Sequence, residues 1–137
     1  MTQIRDLMTE NPSSCERGTP VAEAAKVMAR EDVGSVPVVE GGKLVGVVTD
    51  RDLVVRVLSE GRDPKSTTVG EVASSELVTL SPDDGLDQAL QLLARHQVRR
   101  LPVVEGERLV GIVAQADIAR HADEVQTGEV VEEISKP

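Results

Sequence analysis

The residues with the clearest chemical potential form the run Gly46-Val-Val-Thr49-Asp50-Arg51-Asp52, which crosses from a predicted strand into a predicted helix. A helix start presents free backbone N–H groups that attract an anion such as a phosphate. The Thr49 hydroxyl can donate to a phosphate oxygen, and the Asp52 carboxylate can accept from two ribose hydroxyls. The run therefore predicts a ribose-phosphate clamp. The alternative is that Thr49 only caps the helix and Asp52 only complements its dipole.

Other reactive residue types are sparse. The lone cysteine, Cys15, lies on a predicted strand, where a thiol is usually a small buried hydrophobe rather than a redox group. His96 and His121 lie near predicted helix ends, where an imidazole commonly bonds the last carbonyls. A zinc or redox sensor using Cys15 and His121 therefore requires assembly by folding or by dimerisation. Without a nucleophile beside a base or a GxGxxG loop, we expect no enzyme.

Composition narrows the classes of partner. The chain has 137 residues, 39% of them hydrophobic and 28% charged, which is typical of a globular protein. Its formal net charge of −9 opposes the phosphate neutralisation on which nucleic-acid binding depends. No apolar run is long enough to cross a bilayer, and a single cysteine fits a reducing compartment, so we expect a cytoplasmic protein without a membrane partner. With no Phe, Trp or Tyr, any bound base must lie against aliphatic walls.

The chain repeats itself at an offset of 65 residues, because the segment 33–48 matches 98–113 without a gap. The same offset pairs Asp52 with Asp117. The predicted organisation is a first unit over residues 1–60, a linker over 61–68, a second unit over 69–122 and an acidic tail over 123–137.

Each copy shows the same order of elements, strand-helix-strand-strand-helix. The first helix of each copy carries apolar residues at i, i+3, i+4 and i+7, which are Val21, Ala24, Ala25 and Met28, then Leu86, Ala89, Leu90 and Leu93. Two β-rich runs follow, Val36 to Val39 and Leu44 to Val48 in the first copy, joined by a Gly-containing turn. The last strands lead directly into predicted helices at 50–58 and 115–122.

On these motifs the chain resembles the CBS-domain family, as a stand-alone pair of domains called a Bateman module, over about residues 4–120. The resemblance implies an α+β fold of tandem βαββα repeats with pseudo-twofold symmetry, the sheets packed together and the helices outside. It also implies a non-catalytic regulatory module with no obligatory cofactor. Such a module binds AMP, ADP, ATP or an adenosyl compound between its units. It forms a homodimer through helices 50–58 and 115–122, and it signals to an effector protein that the sequence does not identify.

Carried onto this sequence, the resemblance implies two clefts of unequal chemistry. The first cleft uses Thr49 for phosphate and Asp52 for ribose, with Arg99 and Arg100 facing the phosphates. The alternative is that the two arginines are surface residues that balance neighbouring acids. In the first cleft, the base of the nucleotide is surrounded by Thr79, Leu80, Leu101 and Pro102. The second uses Asp117 for ribose and surrounds the base with Ser35, Val36 and Pro37. Because Ala114 replaces the hydroxyl residue there and Gly34-Ser35 replaces the arginine pair, we expect one strong site and at most one weak site.

Two further hypotheses about function remain beside nucleotide binding. In one, the clefts bind nothing and the chain is a structural or interaction homodimer. In the other, Cys15 and His121 form the redox or zinc sensor.

Overall fold

The computed structural model describes residues 2–123, so the predicted acidic tail beyond Asp123 lies outside the described residues. The strands are β1 (Thr9–Glu10), β2 (Cys15–Glu16), β3 (Ser35–Glu40), β4 (Lys43–Thr49), β5 (Arg100–Glu105) and β6 (Arg108–Ala114). The helices are α1 (Val21–Glu31), α2 (Asp50–Asp52), α3 (Val69–Val72), α4 (Leu86–His96) and α5 (115–123); a 3₁₀ turn spans Ile4–Asp6, and a π-helical segment, Leu53–Leu58, continues α2. Within residues 2–123, every helix is too short or too polar to span a bilayer.

Helices α1 and α4 bury the same repeat positions, because both use the i, i+3 and i+7 residues of the predicted pattern. Val21, Ala24 and Met28 of α1 are buried; of their α4 counterparts, Ala89 and Leu93 are buried and Leu86 is partly buried. The prediction was wrong at the i+4 position, since Ala25 and Leu90 are exposed. The partly buried neighbours Val27 and Leu92 pack against the two cores instead, which turns the apolar face away from position i+4.

The two predicted hairpins are confirmed. β3 pairs with β4 and β5 pairs with β6, each antiparallel and each with a register shift at the same repeat position. The first turn contains Gly41 and Gly42 at φ +59° and +85°, a left-handed conformation that glycine adopts without strain. The hairpins place Thr49 and Ala114 at equivalent strand ends, each followed by a helix.

The two units join at their hairpin tips. Lys43 of β4 is the Cα partner of Arg108 of β6, and these residues occupy the same position of the repeat. The flanking backbone bonds are also equivalent, with Leu44 N donating to Glu107 O at 3.0 Å and Leu109 N donating to Gly42 O at 3.1 Å. A pseudo-twofold axis therefore passes between the tips and joins the strands into one curled six-stranded sheet. The expected α+β tandem repeat is confirmed.

The units also exchange their leading segments. Ile4 is fully buried in the core of the second unit, while Val69 and Val72 are buried in the core of the first. Equivalent backbone bonds hold both segments, since Ile4 N donates to Asp84 O at 2.9 Å and Val69 N donates to Thr19 O at 2.8 Å. Each βαββα unit is therefore completed by residues that precede the other one.

Two equivalent glycines permit this exchange. A Cβ atom at Gly46 would lie 2.9 Å from the Ser74 carbonyl oxygen, and one at Gly111 would lie 3.0 Å from the Thr9 carbonyl oxygen. Backbone bonds run between Val47 and Ser74 in both directions, at 3.1 and 3.0 Å. The glycine that opens the Gly46–Asp52 run thus has a packing role, because it lets a leading segment approach the strand closely.

Candidate functional site

Thr49 and Asp52 form a reciprocal cap at the start of α2. The Asp52 N–H donates to Thr49 Oγ1 at 3.1 Å, and the Thr49 N–H donates to Asp52 Oδ2 at 2.9 Å. The capping role that the sequence offered as an alternative is therefore present. The cap leaves hydrogen-bonding capacity on both side chains, because the Thr49 O–H remains a donor and the Asp52 carboxylate keeps further lone pairs.

The second unit carries half of this arrangement. The Ala114 N–H donates to Asp117 Oδ2 at 3.2 Å, but the Ala114 side chain has no oxygen to accept in return. Asp117 also forms an ion pair with Arg120, one turn further along α5. The hydroxyl asymmetry expected from the sequence is thus visible at equivalent strand ends.

A central cavity of about 860 Å³ lies between the units. Its lining includes equivalent positions from both copies, such as Thr49 with Ala114 and Asp50 with Gln115, so the cavity straddles the pseudo-twofold axis. Its volume falls within the range typical of small-molecule sites. Three predicted site residues line it together, namely Thr49, Arg99 and Arg100.

The cavity is locally cationic in an acidic chain. Arg51, Arg99 and Arg100 line it with Asp32 and Asp50, which gives the lining a formal charge of +1. The ion pairs recorded within residues 2–123 use other arginines and two lysines, so these three guanidiniums have no carboxylate partner there. Guanidinium groups bind phosphate oxygens in bidentate geometry. The cavity is therefore suited to an anion.

Arg51 was missed by the sequence analysis, which treated it only as part of the helix start. The signal was present, because Arg51 lies between the two residues assigned to the clamp. In the second copy its counterpart is Ala116, which also lines the central cavity. The cations therefore come from both units, with Arg51 from the first and the arginine pair from the second.

The predicted base walls are placed differently in the two units. Leu80, Leu101 and Pro102 are buried, and with the half-buried Thr79 they lie outside the central cavity. The opposite wall, Ser35, Val36 and Pro37, lines a separate smaller cavity of about 150 Å³. The ribose candidates Asp52 and Asp117 line neither of these two cavities.

The metal and redox candidates Cys15 and His121 lie in different parts of the fold. Cys15 is buried in the core of the first unit, and this burial, with the charge of Glu23 adding to it, raises the pKa of the thiol. His121 lies on α5, with its Nε2 atom 3.4 Å from Thr2 Oγ1. Across residues 2–123, no three His, Cys, Asp or Glu side chains gather in an arrangement that would hold a metal ion.

The end of the first unit exposes a hydrophobic surface. Val54, Val55 and Leu58, on the π-helical segment, are 55%, 45% and 74% exposed. Arg56 of the same segment contacts Asp52, with its Nε atom 3.7 Å from Asp52 Oδ1. The predicted dimer helix at 50–58 thus carries an apolar face directly beside the capped strand end.

Sequence comparisons match the chain twice to one family. The model of the CBS domain matches residues 4–59 and again 69–124. CBS domain-containing protein YhcV of Bacillus subtilis is 45% identical over 119 residues, covering 87% of this chain and 84% of the relative. Hypoxic response protein 1 of Mycobacterium tuberculosis is 36% identical over 138 residues, covering 100% of this chain and 96% of the relative.

Solved structures give the same result. Hypoxic Response Protein I with two coordinated zinc ions matches with a TM-score of 0.81 and 37% identity, covering 88% of this chain and 98% of that one. CBSX2 in complex with AMP matches with a TM-score of 0.80 and 26% identity, covering 92% and 99%. A CBS domain pair with 5′-methylthioadenosine and S-adenosyl-L-methionine matches with a TM-score of 0.77 and 26% identity, covering 90% and 98%.

Proposed function

The chain belongs to the CBS-domain family, as a tandem pair, and from that premise we propose that it is a non-catalytic regulatory module that binds an adenine nucleotide between its units. The proposed ligand places its phosphates in the central cavity, against Thr49, Arg99 and Arg100. Binding of the nucleotide changes the relative arrangement of the units, and a partner protein or a second copy of the chain responds to that change. Such coupling requires that the two arrangements bind the ligand with different affinity.

The observation that carries this proposal is the convergence of three arginines that form no ion pair within the described residues 2–123. Guanidinium groups from two units line one cavity between those units. Three like charges against the two acids Asp32 and Asp50 leave the lining with excess positive charge, which raises the energy of the free protein, and an anionic ligand relieves that cost. AMP and adenosyl compounds in two structural neighbours support the choice of an adenine ligand.

The exposed face formed by Val54, Val55 and Leu58 supports the second part of the proposal, a homodimer through helices 50–58 and 115–122. Three neighbouring aliphatic side chains on one helical segment form an apolar patch that a partner surface would cover. Because the segment follows the capped strand end, the proposed ligand and the proposed interface lie on one element. This proximity gives a short path from occupancy to assembly.

The test uses the absence of Phe, Trp and Tyr, which leaves the protein almost transparent near 260 nm. Any adenine that elutes with the purified protein is therefore read directly from the absorbance spectrum. Thermal unfolding followed by circular dichroism, with and without AMP, ADP and ATP, then measures binding. A ligand present at about 100 times its Kd adds roughly 2.7 kcal/mol of stability.

A matched pair of variants separates the site from general charge effects. The double variant Arg99→Ala, Arg100→Ala should lose the ligand-induced stabilisation. Arg95→Ala removes an exposed arginine of α4 that does not line the central cavity, and it should retain the stabilisation. No stabilisation of the unaltered protein by any of the three nucleotides would overturn the proposal in favour of an interaction protein that binds none.

A further inference from the structure

Arg100 lines both the central cavity and the smaller cavity. In the central cavity it accompanies Arg51 and Arg99, and in the smaller cavity it accompanies Ser35 and Val36. The phosphate-binding groups assigned to the first cleft therefore meet the base wall assigned to the second cleft at one guanidinium. The family resemblance described from the sequence assigns these phosphate-binding groups and this base wall to different clefts.

The smaller cavity has the character of a base pocket. Its walls include the aliphatic side chains of Val27, Val33 and Val36, and its polar groups include Ser13 and Glu31. Its volume of about 150 Å³ is that of a cavity that binds one aromatic ring, so it takes one ring of the bicyclic purine and leaves the other ring at its open side. The aliphatic walls suit the faces of a purine, and a carboxylate supplies an acceptor for the 6-amino group of adenine.

We infer that the two cavities form one composite site that holds a single nucleotide per chain. The base occupies the smaller cavity, and a diphosphate or triphosphate runs past Arg100 into the central cavity. This inference rests on the proposed function and deepens it, since it selects one base wall and one class of nucleotide. It replaces two separate clefts with one site that draws its cations from both units.

The number of phosphates follows from where the cations lie. Arg100 stands at the junction, so it meets the phosphate nearest the ribose. Of these two cavities, Arg51 and Arg99 line only the central one, so phosphates further along the polyphosphate meet them. Each charge-assisted hydrogen bond to a phosphate adds affinity, and a monophosphate forgoes those made by the more distant cations. ATP and ADP should therefore bind about tenfold or more tightly than AMP.

Isothermal titration of the unaltered protein with ATP, ADP and AMP gives the first test. The expected result is one ATP per chain, with AMP bound more weakly. Arg51→Ala should weaken ATP and ADP by about tenfold and leave AMP nearly unchanged. Equal loss for all three nucleotides, or two equal ATP sites per chain, would overturn the composite site.

A matched pair of variants then locates the base. Ser35→Met fills the smaller cavity, at a half-buried position where the other repeat already carries the larger Arg100. Thr79→Met makes a similar change at the half-buried residue of the opposite wall. Nucleotide binding should be lost in Ser35→Met and kept in Thr79→Met, with both folded by circular dichroism.

The reverse pattern would refute the composite site and leave the proposed function standing. Absence of binding by every nucleotide to the unaltered protein would refute both. If Ser35→Met fails to fold, the stoichiometry and the Arg51→Ala selectivity still decide the question.

Discussion

The Asp52 N–H donates to Thr49 Oγ1 at 3.1 Å, while at the equivalent position of the second unit the Ala114 side chain has no oxygen to accept from the Asp117 N–H. Thr49→Ala should destabilise the protein by about 1 kcal/mol, since it removes an N-terminal cap. Ala114→Thr should stabilise it by roughly 0.5 to 1 kcal/mol, because it completes the second capping box beside an open cavity. Urea unfolding followed by circular dichroism at 222 nm measures both changes.

Thr49→Ser is the control for this pair. It keeps the hydroxyl acceptor, and its stability should lie close to that of the unaltered protein. Equal losses in Thr49→Ser and Thr49→Ala would show that the methyl group, and not the cap, is the stabilising feature.

Gly46→Ala should destabilise the chain by roughly 1 to 3 kcal/mol, because the added Cβ would lie 2.9 Å from the Ser74 carbonyl oxygen. Gly18→Ala is the matched control, since a Cβ at Gly18 meets no atom within 4 Å. The free energy of unfolding in urea distinguishes the two. A Gly46→Ala protein as stable as Gly18→Ala would mean that the leading segment 69–74 does not press on β4.

Glu71 links stability to acid pH. The Thr68 backbone N–H and hydroxyl, followed by Arg62, lower the pKa of this carboxyl below its ordinary value of 4.5. A carboxyl with a lowered folded-state pKa contributes stability above its unfolded pKa and loses it as pH falls through the folded pKa. Glu71→Gln should therefore reduce the loss of stability below about pH 4.5. Urea midpoints between pH 3 and 7 give the comparison, and parallel curves for the two proteins would contradict the assignment.

The Cys15 thiol should be unreactive in the folded protein. Burial, and then the charge of Glu23, raise its pKa above the ordinary value of 9.0, which lowers the thiolate fraction at pH 8. A thiol-specific chromogenic disulfide should react slowly with folded protein and rapidly after denaturation in urea. Equally rapid reaction in both states would revive the redox hypothesis.

Leu58→Lys should weaken self-association without lowering the stability of the single chain, because its side chain is 74% exposed. Sedimentation equilibrium over a range of concentrations measures the dissociation constant, which should rise at least tenfold. Leu77→Lys, at a residue 40% exposed outside helices 50–58 and 115–122, is the control. Equal behaviour of the two variants would place the dimer surface elsewhere.

Local patterns predicted the hairpins and the Thr49 cap, because each depends on neighbours within a few residues. The repeat was predictable because the chain aligns with itself at an offset of 65 residues. The exchange of leading segments was not predictable in the same way. Ile4 and Val69 are ordinary apolar residues, and the unit in which each is buried depends on how the two copies dock. The place of Arg51 in the lining of the central cavity was likewise hidden, since a helix-start arginine lines a cavity only when two units enclose one.

The side of each helix facing the core was only partly predictable. A period of 3.6 places i+3 and i+4 on the same face, but only one of them need touch the sheet. In α1 and α4 it is i+3 that does so, which leaves Ala25 and Leu90 exposed. The same deviation in both copies shows that docking geometry, shared by the repeat, set it.

The exchange of leading segments also orders events in time. Thr9 pairs with Ile112, a sequence separation of 112 − 9 = 103 residues. A ribosome adding about 5 to 20 residues per second needs roughly 5 to 20 seconds to make that stretch. Residues 2–10 are therefore synthesised before the strand that pairs with β1, and during that interval Ile4 has no core to enter. The first strand of the chain therefore cannot take its native partner until the ribosome has made β6, the last strand within residues 2–123.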